Sequence, residues 1–159
     1  MVRRITTAYF GPRSYPEQNR IVGDFVSSII WGDAGRVKDY CSMAVMEDRR
    51  LIAGTLFHNY YSEQGVIELT SASISRRWLT RGVIRCMFSL PFDRLGCQIV
   101  ALRVSSKNHG MLRIARQFGF SEVVIPRLRG RCEDEHVFTY TDDQWKSSRY
   151  NRVSLQDAA

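Results

Sequence analysis

The sequence predicts an α/β or α+β fold in which a single sheet is covered by helices. Strand-like and helix-like runs follow one another as strand, helix, three strands, helix, strand, helix, strand, and the middle strand–helix–strand portion calls for a parallel crossover. At 159 residues, 44% hydrophobic and 25% charged, the chain has the size and composition of one globular domain. That domain is expected over residues 1–146, with a polar, poorly ordered tail at 147–159.

The first strand is RRITTAYF. Ser14-Tyr-Pro-Glu17 then reads as a helix start, with Ser14 as N-cap and Glu17 closing a capping box. Ile21, Phe25 and Ile29 recur every four residues beside Val22, Val26 and Ile30, giving an amphipathic helix that stops at Gly32. VKDYCSMAVM and RRLIAGTLFHNYY, joined by the polar turn Glu47–Arg50, predict a hairpin. A third strand runs from Val66 to Ile74, and a helix from Gly82 to Asp93 is interrupted near Pro91. A strand at Gln98–Val104, a helix at Gly110–Phe118 ended by Gly119, and the strand HVFTYT complete the order.

Charge and cysteine usage narrow the function classes. Twenty-three Lys and Arg against 16 Asp and Glu give +7, which favours an anionic partner without saying whether it is a nucleic acid, a phosphorylated cofactor or an acidic surface. No apolar run reaches the roughly 20 residues of a membrane span, and the N-terminus lacks the apolar core of a secretory signal, so a cytoplasmic protein with reduced thiols is expected. Cys41, Cys86, Cys97 and Cys132 are scattered with no CxxC pair; the expectation is buried thiols and no metal site.

Between the third strand and the following helix lies Ser75-Arg-Arg-Trp-Leu-Thr-Arg-Gly82. A helix start presents unpaired amides and the positive end of the dipole, and nearby guanidiniums add charge, so the stretch reads as a phosphate cradle or as a solvated turn. Together with Asn108, the helix HGMLRIARQF and Gly119-Phe120 after the next strand, it resembles the GNAT superfamily of acyl-CoA-dependent N-acyltransferases over residues 36–140. PFDRLGC and QFGFSEVVIPR look most like ribosomal-protein-acetylating and phage-encoded members.

The resemblance implies a mixed, mainly antiparallel sheet with helices on both faces, the acyl-CoA N-acyltransferase fold. It also implies acetyl-CoA or another acyl-CoA as co-substrate, with its pyrophosphate on Arg77, Trp78, Leu79, Thr80, Arg81 and Gly82. The family pattern Arg/Gln-x-x-Gly-x-Gly/Ala falls on Arg77, Thr80 and Gly82, so threonine replaces the first glycine; a positive φ there would be strained. Asn108 would also face the cofactor. The strand at 66–74 would splay so that Ala72, Ser73 and Ile74 pair with the pantetheine arm, a role their small neighbours suit. The tyrosine that in many relatives protonates the leaving thiolate falls on Ala115.

Glu68 is the candidate general base for the attacking amine, or a carboxylate at the sheet surface. Ser105 and Ser106 could bond the thioester or leaving sulfur, or be plain loop serines. Arg76, Arg77, Arg81 and Arg85 either hold phosphates or form a solvated face. Trp78 is a lid or a packing residue; His58 and His109 are bases or packed residues; Tyr60 and Tyr61 line an acceptor groove or favour a strand. The implied function is acyl transfer to a primary amine by direct attack in a ternary complex, the amine sitting on a protein or on a modified nucleobase. A non-catalytic module binding nucleic acid or acyl-CoA is the alternative, and a homodimer is compatible with either.

Overall fold

The computed structural model describes residues 3–152. Seven strands form one sheet in the order β1-β2-β3-β4-β5-β7-β6: β1 Ile5–Phe10, β2 Cys41–Glu47, β3 Arg50–Tyr61, β4 Val66–Ser73, β5 Ile99–Ser105, β6 Ser121–Ile125 and β7 Glu135–Thr141. Every neighbouring pair is antiparallel except β4 with β5, and α2 (Arg81–Ser89) makes the crossover between those two. This is the mixed, mainly antiparallel sheet that the resemblance implies. The β2–β3 hairpin closes on two residues, Asp48 and Arg49, with φ of 46° and 73°, the left-handed pair that suits the twist of flanking strands.

Helix α1 (Pro16–Trp31) lies on one face, where Val22 and Val26 pack on Ala44, Leu56 and Ala72. Gly54 makes the approach close: a Cβ there would stand 2.7 Å from Val22 Cγ1 and 2.8 Å from Val26 Cγ2. The larger core contains residues of α2, α3 (His109–Phe118) and α4 (Asp142–Ser147), with Phe88 ringed by Phe92, Phe118, Phe120, Tyr140 and Trp145. α2 is tied to β1, since Tyr9 OH donates to the Cys86 carbonyl and Thr7 Oγ1 to Cys86 Sγ at 3.3 Å. Burial pushes the Tyr9 hydroxyl up to about 12.

Several local expectations change. The first helix is capped by Tyr15, with no side-chain cap, because Pro16 takes the first helical position, where its missing N–H costs nothing. Past Ser89, α2 continues as a π-helical turn, Leu90–Arg94, where Pro91 interrupts regular hydrogen bonding. β6 and α4 add to the expected elements. Cys97 is buried and Cys86 half-buried, but Cys41 and Cys132 are exposed, one opening β2 and the other on the β6–β7 connection. Residues 148–152 run back over the domain, Tyr150 stacking on Phe118 at 5.1 Å; the rest of the expected tail, 153–159, lies outside the described residues. No helix among the described residues is long and apolar enough to cross a membrane.

Candidate active site

The parallel pairing of β4 with β5 covers three positions, Val66 with Ile99, Ile67 with Val100 and Glu68 with Ala101, and then stops. Beyond Glu68 the strands part, and their backbone groups open into a large cleft lined by β4, β5, the end of α1, α3 and the β6–β7 connection. Ile74 donates its amide to Ile52 O at 2.9 Å. Alternate residues of an antiparallel strand face the same neighbour, so Ala72 and Ile74 turn to β3, whereas Ser71 and Ser73 turn their backbone groups to the opening. Of the three residues expected to pair with a pantetheine arm, only Ser73 is so oriented. Ser73 Oγ also pins the following turn, 2.8 Å from Ser75 O and 3.0 Å from the Ser75 amide that it accepts.

At the end of β4 the chain turns into α2, whose N-cap is Thr80 with φ −77° and ψ 165°. Threonine is thus unstrained, and its side chain accepts from the Val83 amide at 3.2 Å. The amides of Arg81 and Gly82, the first two helical positions, have no partner among the described residues and add to the positive end of the dipole. Among the described residues, a Cβ at Gly82 would meet only Thr80 Oγ1, at 3.9 Å. Trp78 is buried in the core and Leu79 packs beside it. The arginines divide: Arg81 donates to the Arg149 and Arg152 carbonyls and Arg85 to the Arg152 carbonyl, while Arg76 and Arg77 stay exposed at the turn.

No family model matches the sequence, and none of the curated proteins matches it. Among solved structures, a GCN5-related N-acetyltransferase from Brucella melitensis superposes with a TM-score of 0.66 at 16% identity, covering 95% of this chain and 80% of that one. A GNAT-family protein from Chromobacterium violaceum gives 0.65 at 17% identity, covering 92% of each chain. This chain has the GNAT fold. A mutant of the spermidine N-acetyltransferase of Vibrio cholerae shares it at 0.61 and 14% identity, covering 70% of this chain and 71% of that one. Two further GNAT-fold structures of the acetyltransferase kind are covered over 61% and 62% of their own length, about three fifths. The residues present fit the acyl-CoA that this fold implies, in the parted strands, the open amides and the room at Gly82.

At the apex of the cleft, Glu68 sits opposite His58 on β3. Glu68 Oε2 accepts from Asn59 Nδ2 at 2.8 Å, a contact made where the β3–β4 register is irregular and Asn59 takes a φ of 48°. His58 Nε2 lies 2.8 Å from Thr70 Oγ1. Burial lowers the His58 pKa, with Glu68 opposing and Arg103 assisting, so the ring is neutral at pH 7. Ser105 donates to Glu133, and that bond, with the one from Lys107, holds Glu133 below the usual carboxylate range. Asn108 caps α3 by accepting from the Met111 amide at 3.1 Å. Ala115 is 1% exposed in the core, so its position does not face the cleft of this GNAT-fold chain. His109 is exposed at the start of α3. Sequence reasoning missed Asn59, and missed Glu135, 1% exposed and held between Arg103 and Arg129 at 2.8 Å each. Among the described residues no group of three or more metal-ligating side chains is gathered.

Proposed function

We propose that the protein is an N-acyltransferase that moves an acetyl group from acetyl-CoA to a primary amine by direct attack in a ternary complex. The observation that carries this reading is the end of β4–β5 pairing at Glu68, with a capped, amide-open helix start one turn beyond the same strand. Similarity in fold to acetyltransferases supports it.

Ser71 and Ser73 offer backbone partners to the pantetheine amides, the Arg81 and Gly82 amides face the pyrophosphate, and Arg76 and Arg77 add charge. The carboxylate of Glu68, held by Asn59 through one oxygen, takes the proton of the attacking ammonium directly or through water. The amine nitrogen then bonds to the acyl carbon, the carbon–sulfur bond breaks, CoA departs as its thiolate, and the nitrogen gives its second proton to water to leave the amide. Ala115 supplies no proton to that thiolate, and Ser105 is already committed to Glu133. Rate enhancement rests mainly on holding amine and thioester together.

Thermal unfolding with acetyl-CoA, free CoA and a DNA duplex at low and high salt tests the reading. A hundredfold excess over Kd stabilises by about 2.7 kcal/mol, a rise of roughly 5–10 °C for a chain this size, retained at high salt with acetyl-CoA. Gly82→Trp, placed in open space, removes that rise without lowering the unliganded Tm, and Glu68→Gln keeps it while slowing transfer about 10²–10⁴-fold. A rise with DNA alone that vanishes in salt sinks the transferase reading. The buried Ala115 favours a second reading, a non-catalytic acyl-CoA-binding module; turnover with any amine, lost in Gly82→Trp, excludes it.

A further inference from the structure

Resting on the transferase reading, we infer that the acceptor is an apolar primary amine, its nitrogen carried on an aromatic or branched aliphatic group. Of the thirteen exposed large apolar side chains among the described residues, seven line the cleft: Ile29, Ile30 and Trp31 at the end of α1, Tyr60 and Tyr61 at the end of β3, Ile74 and Leu128. Exposed apolar residues normally scatter singly, so this concentration marks a surface kept for an apolar ligand.

The charges of the cleft are mostly spent on one another. Glu135 is held by Arg103 and Arg129, Glu133 by Lys107 and Ser105, and Arg36 pairs with Asp33 at 3.0 Å. Four of the seven Lys and Arg side chains lining the cleft are therefore ion-paired, Arg103 and Arg129 sharing the single carboxylate of Glu135, and Arg76 belongs to the cofactor turn. That leaves no row of uncommitted cations for a phosphodiester backbone, despite the chain's net +7. The carboxylates are also too committed for a polyamine, whose several ammonium groups each need an anion. Glu68, bonded to a neutral amide, remains on the cleft floor, and Asp39 lies exposed at the rim. One available carboxylate at the apex of an aromatic cleft matches one ammonium on an apolar body.

Two sources carry that chemistry, a free aralkylamine and the N-terminal residue of a peptide. The test is steady-state acetyl transfer, read as CoA thiol release and product mass, to phenethylamine, a peptide beginning with Phe, spermidine and a DNA duplex bearing aminomethyl bases. The expected result is kcat/KM about tenfold or more higher for phenethylamine or the Phe peptide than for spermidine or the duplex. The better of the first two names the source. Trp31→Ala and Tyr61→Ala, both at exposed side chains, raise KM for the apolar amine about two- to tenfold while leaving KM for acetyl-CoA unchanged. Preference for spermidine or DNA overturns the inference, as does an unchanged amine KM in both variants. Thermal stabilisation by acetyl-CoA without transfer to any of the four also overturns it while leaving the cofactor site standing; absence of that stabilisation fails the transferase reading itself.

Discussion

Asn59 shows how a single residue escapes sequence reasoning. Its amide orients the Glu68 carboxylate only because the β3–β4 register slips between His58 and Tyr61 and Asn59 adopts a left-handed backbone, and nothing in FHNYY announces that slip. Glu68 is the carboxylate in the middle of a strand that the family resemblance singles out, and it stands at the last pair of the β4–β5 register. His58 carries a consequence of its own. Its folded pKa is depressed by burial, so as pH falls below the unfolded value of 6.5 the unfolded chain takes up the proton first. Stability therefore declines on acidification through and below pH 6.5. In His58→Gln, which keeps a polar partner for Thr70, that decline is expected to be shallower; identical pH profiles of Tm for the two proteins would show that the imidazole is not linked to folding.

At the scale of elements, one pattern occurs twice and is used once. Ser14-x-x-Glu17 and Thr141-x-x-Gln144 both read as capping boxes, and only the second forms, with Thr141 accepting from the Gln144 amide at 3.2 Å and Gln144 Oε1 accepting from the Thr141 amide at 2.9 Å. The proline two residues after Ser14 displaced the first; the second was a signal present in the sequence for α4, a helix only six residues long. The division of the arginines was not legible, since Arg81 and Arg85 are claimed by carbonyls some 70 residues on in the chain. Thr80, a departure from the family glycine, turns out to be a helix cap. Thr80→Ala should lower stability by about 1 kcal/mol in denaturant unfolding. Thr80→Gly should cost only a few tenths, since glycine also serves at an N-cap, and it restores the family pattern. Equal losses in the two variants would mean that the cap contributes little.

Over the whole molecule, the order of elements apart from β6 and α4, and the β4–α2–β5 crossover, could be read from periodicity and connection length, because those are local properties of the chain. The parting of β4 from β5 was expected only through the family resemblance; the commitment of cleft charges to one another and the apolar lining could not be read, because they depend on which distant residues meet. Two blocks of sheet, β1 to β4 and β5 to β6, are joined through three register pairs. The amides of Ser71 and Ser73, turned to the gap, should exchange with solvent readily and become about tenfold or more slower with saturating acetyl-CoA, while those of Ala72 and Ile74, facing β3, change little. Uniform protection along β4 would contradict the gap.

A seam of three residue pairs between two halves of a sheet leaves the molecule short of one strand, and the pantetheine arm is the length of backbone that would be inserted there. The metabolite then acts as a building part. On the proposed function, plentiful acyl-CoA would complete the sheet and make its unfolding costly, and scarcity would leave the same chain a looser object, more open to proteases and chaperones. If the proposed acyl-CoA site holds, the lifetime of the protein in the cell would follow the supply of that ligand, with no regulator other than the missing strand.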